Sequence, residues 1–138
     1  MQLRPGVTGE VEWTVGPADT ALALGSGDVP VLGTPKVLAL AEAASVAALA
    51  GALDAGATTV GTAVALRHLA ATAVGAAVRA GAELTAVDGR RLVFAVTVYE
   101  VGVAGADRLV ADGTVERALV QRERFLSRIG GEPAGGVA

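Results

Sequence analysis

The sequence predicts an α+β fold in which an antiparallel sheet curls around one central helix. Three observations predict it. A Thr34-Pro35 start opens a long apolar segment with helical spacing. Long, valine-containing segments follow, two of them joined across Asp88-Gly89. Only one element is large enough to cover the apolar face that such a sheet must bury.

Each element has its own warrant. Residues 8–15, TGEVEWTV, alternate, with Val11, Trp13 and Val15 on one face and Glu10, Glu12 and Thr14 on the other. That is the pattern of a half-buried strand. Residues 16–33 carry repeated glycine and proline and read as a connection, with a short strand at 21–24. Thr34 is a hydroxyl N-cap and Pro35 a first helical residue, so a helix should run over 35–53 until Asp54-Ala55-Gly56 stops it. On it Leu38, Glu42, Val46, Leu49 and Leu53 recur at three- and four-residue steps and should share the buried face. Strands are then expected over 58–72, 76–88, 91–102 and 108–121, the middle two closed by an Asp-Gly hairpin turn. One domain over 1–129 and a disordered tail over 130–138, GGEPAGGVA, complete the division.

Composition narrows the function. At 138 residues the chain can build a core without cross-links, and it has no cysteine, which excludes thiol nucleophiles and Cys-based zinc sites. A single histidine argues against a His-rich metal site. Hydrophobic residues make up 52% but aromatics only 3%, so the core is built of small side chains that let elements approach closely. The net charge of −3 and scattered arginines give no nucleic-acid footprint. The most apolar run, residues 37–53, holds Glu42 and is shorter than the roughly 20 residues a membrane span needs. The first ten residues hold no signal-peptide core, so a cytoplasmic protein is expected.

Six residues stand out. Glu42 is the only charge between Lys36 and Asp54. On a buried stripe it must be paired or protonated; the alternatives are a stripe edge or a carboxylate held in a cleft as base or nucleophile. His68 shares a strand face with Val64 and Leu66. It is either a satisfied structural residue or a proton carrier beside Glu42. Thr34 caps the helix or orients a polar substrate atom there. Arg117 points away from its neighbour Glu116 and reads first as a solvated strand charge. Arg90 and Arg91 by the hairpin read the same way, with a weaker prospect of meeting phosphates.

The order LGTP…E…VGTAVALRH…DGRRL…DGTVERALV, across residues 6–125, resembles the hotdog-fold thioesterases of the fluoroacetyl-CoA thioesterase type. The resemblance implies a five-stranded antiparallel sheet wrapped around the long helix. It also implies a homodimer with active sites near the subunit interface, and hydrolysis of an acyl-CoA thioester without a cofactor beyond the substrate's own coenzyme A. By position Thr34, Glu42 and His68 look like that family's catalytic residues. Gly61 is similar to a backbone donor at the site, and Arg117 to a supporting arginine. One departure is plain: the family's lid phenylalanines have no counterpart, because residues 16–34 hold no aromatic. Two other readings of the constellation are an acyl-CoA hydratase, which usually has an acid near its histidine, and a non-catalytic acyl-CoA-binding protein. Residues 69–74 carry no acid.

Overall fold

The computed structural model describes residues 3–130. Five strands, β1 (Thr8–Thr14), β2 (Ala57–His68), β3 (Ala77–Asp88), β4 (Arg91–Glu100) and β5 (Arg108–Gln121), form one antiparallel sheet in the order β1-β3-β4-β5-β2. The helices are α1 (Ala21–Leu24), α2 (Thr34–Ala48) and α3 (Arg122–Gly130). The sheet wraps α2, which meets β1, β3, β4, β2 and β5. Val37, Leu40, Ala41 and Ala44 of the helix pack with Leu84, Leu92, Phe94, Val96 and Val115 of the sheet in one core.

The expected helix face is corrected by this packing. The buried stripe runs through Val37, Leu40, Ala41, Ala44, Ser45 and Ala48, while Val46 is 51% exposed and Leu38 and Glu42 lie at the edge. Backbone contact, not leucine spacing, sets the rotation. Gly9 of β1 lies so close to the helix that a Cβ there would overlap the backbone of Ala44, Ala47 and Ala48. Only a face of alanines permits that approach. The helix also stops at Ala48, earlier than expected, because turns take over and Gly51 adopts φ 75°. Its cap is Gly33, and Thr34 is already the first helical residue, which frees the threonine hydroxyl from capping.

Further differences lie in the connections. Residues 21–24 form one helical turn, not a strand, because the Thr20 hydroxyl accepts from Ala23 N and Gly25 closes the turn at φ 75°. β2 ends at His68; beyond it Leu69 N and Ala70 N both donate to the Val110 carbonyl, on the bulged residue of β5. Trp13 leaves the apolar set of β1: it is 43% exposed, with Lys36 Nζ 3.7 Å over its ring. Helix α3 has no counterpart in the expected elements. Of the expected tail, Gly130 closes α3 and residues 131–138 lie outside the described residues. Among the described residues no helix is long and apolar enough to cross a membrane.

Candidate active site

The seam between α2 and β2 carries two polar pairs. At the start of α2, Thr34 Oγ1 lies 2.8 Å from His68 Nδ1 at the end of β2. The other ring nitrogen, Nε2, is buried and has no hydrogen-bond partner. A buried, unpaired imidazole nitrogen is costly in a structure without a use for it.

Two helical turns on, Glu42 faces Gly61. Arg117 Nη1 donates to Glu42 Oε2 at 3.3 Å. Arg117 is only 8% exposed and its guanidinium is fixed by β2: Nε donates to Thr59 Oγ1 at 2.8 Å and Nη2 to the Thr59 carbonyl at 3.2 Å. Such a charge inside the fold needs acceptors, and Thr59 and Glu42 take a hydrogen bond from each of its three nitrogens. Glu116 points to the other face, as strand alternation requires, and takes both branches of Arg91 at 2.9 and 3.1 Å.

Gly61 is the residue that admits the carboxylate. A Cβ at that position would overlap Glu42 Oε2. The register with β5 slips just beyond it: Gly61 pairs with Arg117 and Ala63 with Glu116, leaving Thr62 as the extra residue of a bulge. The Thr62 hydroxyl donates to the Glu116 carbonyl and holds the bulge in place. Bulges of this kind re-aim side chains beside functional sites.

The five residues that the family resemblance pointed to, Thr34, Glu42, Gly61, His68 and Arg117, thus lie on one seam, but in two groups. Thr34 joins His68, and Glu42 joins Gly61 and Arg117. Within the chain His68 does not hydrogen-bond to Glu42; eight residues of helix, about 12 Å of rise, separate the two ends. Thr59 was not anticipated. Its signal, a hydroxyl on the strand facing Arg117, requires the β2–β5 register, which the sequence does not display. Among the described residues no cluster of His, Asp and Glu could hold a metal ion.

The sequence profile of the fluoroacetyl-CoA-specific thioesterase family matches residues 15–123. The chain belongs to this family. All five residues fall inside the matched span. The fluoroacetyl-CoA thioesterase of Streptantibioticus cattleyicolor is 38% identical over 99 residues, 72% of this chain and 68% of that one. A solved structure of the fluoroacetyl-CoA-specific thioesterase shares 31% identity and a TM-score of 0.84, over 96% of this chain and 98% of its own. A mutant of that enzyme, solved in complex with fluoroacetate and CoA, gives 33% identity and a TM-score of 0.79 over 89% and 99% of the two chains. The expected hotdog architecture, a five-stranded antiparallel sheet around a long helix, is the one found, and thioester hydrolysis comes with the family.

Proposed function

We propose that this thioesterase hydrolyses short acyl-CoA thioesters, with Glu42, His68 and Thr34 acting on the thioester and Gly61 and Arg117 shaping the site. The observation that carries the reading is the Glu42 carboxylate seated in the space left by Gly61 and held by a buried guanidinium. An oriented carboxylate can take a proton from water as its oxygen attacks the thioester carbon, or attack that carbon itself. In either route a C–O bond forms, the C–S bond breaks and the CoA thiolate leaves; in the second route water then cleaves the acyl–Glu42 anhydride, releasing the free acid and restoring the carboxylate. Backbone N–H groups near Gly61 or at the start of α2 would face the developing oxyanion. His68, oriented by Thr34 through Nδ1, would offer Nε2 to the carbonyl oxygen or the leaving sulfur. No metal or cofactor enters the scheme. The absence of aromatics in residues 16–34 favours a short acyl group over a specifically fluorinated one.

The two groups on the seam motivate a homodimer. β2 is a twelve-residue edge strand whose only charged side chains over 57–68 are Arg67 and, when protonated, His68. An edge so lightly protected invites pairing. A two-fold axis between Val64 and Ala65 sets Gly61 of one strand opposite His68 of the partner subunit. Glu42 would then act with His68 of the partner subunit, each site drawing on both chains. The reaction is assigned to the cytoplasm, where acyl-CoA substrates are at hand.

The test is thiol release from a panel of short acyl-CoAs. Wild type should turn over at least one of them, and Glu42→Ala and His68→Ala should each lose about a hundredfold or more in kcat. Full activity in either variant, or no turnover by wild type, ends the assignment. Mixing the two inactive variants tests the shared site. Exchange of subunits should restore about a quarter of wild-type activity, since half of the dimers are mixed and each holds one intact site. No restoration in demonstrably mixed dimers would return both residues to one chain.

A further inference from the structure

The buried polar side chains of the fold can be accounted for one by one. Among the described residues they are Asp19, Thr20, Ser45, Thr72 and Arg117. Asp19 accepts from the Trp13 indole and the Gly16 N–H, and Thr20 donates to the Pro17 carbonyl. Ser45 donates to the Glu42 carbonyl, and Arg117 is held by Thr59 and Glu42. Thr72 is the exception: it is 1% exposed, and its Oγ1 has no hydrogen-bond partner. Among the described residues one other buried side-chain atom shares that condition, Nε2 of His68. A buried hydroxyl left unpaired is costly, and a valine would fill the same space without that cost. Two such atoms on one short stretch of chain point to a common use.

Both atoms face the interior from one wall. Residues 31–34 and 68–73 run antiparallel beside each other. Val31 bridges Ala73, Leu32 N donates to the Thr72 carbonyl at 2.9 Å, and Thr34 Oγ1 meets His68 Nδ1 at 2.8 Å. Residues opposite one another in such a pair share a face. The Thr72 side chain therefore stands beside that of Leu32, which belongs to the core. The two nitrogens of an imidazole point to different sides of the ring. With Nδ1 turned to the exposed Thr34, Nε2 is turned inward, and its burial agrees. Hydroxyl and ring nitrogen thus enter the same apolar region, beneath the start of α2. The wall between them is pinned from the other side. Leu69 N and Ala70 N donate to the Val110 carbonyl at 2.7 and 3.3 Å, and Arg108 Nη2 donates to the Ala71 carbonyl at 2.6 Å.

We infer that Thr72 is a positioning residue for His68, holding Nε2–H through one buried water. A water inside a fold needs a few polar partners in otherwise apolar surroundings, and the two unpaired atoms supply them. Nε2–H donates to the water oxygen, and the water donates to Thr72 Oγ1. The proton is kept on Nε2, and Nδ1 is left to accept from the Thr34 hydroxyl. Which nitrogen of a histidine carries the proton is set by the bonds that its two nitrogens make. The use of this arrangement rests on the thioesterase reading above: Nε2–H is the form that can donate to the carbonyl oxygen or the leaving sulfur. When the thioester arrives, that hydrogen bond passes to the substrate and the water stays on Thr72. With the proton on Nδ1 instead, a neutral ring would present only a lone pair to either atom.

His68 is the only histidine in the chain, so nitrogen NMR of the imidazole reads this one ring. The spectrum is taken at about pH 8.5, two units above the ordinary histidine value, where a ring is neutral. Wild type should show the Nε2–H tautomer alone, with an Overhauser contact from that proton to a long-lived internal water. Thr72→Val should mix the two tautomers, and Thr72→Ser, which keeps the hydroxyl, should restore the single one. With a short acyl-CoA, kcat should fall about tenfold in Thr72→Val while KM stays within about twofold, and Thr72→Ser should recover most of the rate. A wild-type Nε2–H without a water contact would overturn the inference. So would a single Nε2–H tautomer retained in Thr72→Val, or an unchanged kcat in that variant. The spectra need no substrate. If wild type cleaves no short acyl-CoA, the thioesterase reading fails, and the tautomer and water contact still decide whether Thr72 holds the ring.

Discussion

Two glycines on opposite flanks of α2 do the same steric work for different occupants. At Gly9, on the β1 flank, the space left by the missing Cβ is filled by the helix backbone at Ala44, Ala47 and Ala48. At Gly61, on the β2 flank, it is filled by the carboxylate of Glu42. The first contact sets the distance and rotation of the helix. The second costs nothing in packing that a neutral side chain could not replace, yet it gathers a buried arginine and a bulge around one acid. Where close approach admits backbone, the glycine serves the fold; where it admits an ionisable group, the glycine serves a site.

Substitution at each glycine tests this division. Gly9→Val must push α2 off the sheet, because three backbone groups cannot move aside. The expected loss is about 3 kcal/mol or more, read from urea unfolding. Gly61→Ala displaces only the end of a flexible side chain. Its stability should change by about 1 kcal/mol or less, while kcat for a short acyl-CoA falls about a hundredfold. A Gly61→Ala protein that unfolds early but works at full rate would erase the distinction.

The supports of the two polar pairs should matter less than the glycine. Thr34→Val removes the hydroxyl at His68 Nδ1 and should lower kcat about tenfold, whereas Thr34→Ser should keep most of the rate. Thr59→Val takes one acceptor from Arg117, which keeps the Thr59 carbonyl and Glu42, so a loss of a few-fold is expected. A larger effect from Thr59 than from Thr34 would move the chemical weight to the arginine end of the seam.

Much of this was legible in the sequence. The Thr-Pro start, the Asp-Gly hairpin and the alternation of Val64, Leu66 and His68 all act locally, and the fold keeps them. The helix face was not legible. In TPKVLALAEAASVAA nearly every position is apolar, so periodicity gives little contrast and the leucines mislead. The face is chosen by Gly9, which lies 35 residues before Ala44. Arg117 posed the same difficulty: a strand arginine looks solvated until Thr59 and Glu42 are brought to it by pairings 58 and 75 residues apart. Thr34 was misread as a cap because Gly33 does that work, and only the β2 terminus shows what the hydroxyl reaches.

The connection before α2 offers the mildest test, and it titrates. Burial alone would raise the Asp19 carboxyl, but the Trp13 indole, the Gly16 N–H and Lys36 outweigh it and hold the group below the ordinary carboxylate range. The indole and the Gly16 amide both donate to Asp19 Oδ2 at 2.8 Å. A carboxyl lowered in the folded state contributes its full stabilisation above the unfolded value, about 3.9, and loses it as pH falls through the lower folded value. Stability should therefore decline with acid over that window, and Asp19→Asn should flatten part of the decline. Asp107, lowered by the Gly102 N–H and Arg79, and Asp112, lowered by Arg67, titrate in the same direction elsewhere. Trp13 separates them, since it is the only tryptophan and touches Asp19 alone of the three. Its fluorescence should follow the acid transition in wild type and lose that step in Asp19→Asn. If the step persists in the variant, the indole is reporting general acid unfolding, and this corner of the fold is held by its apolar contacts instead.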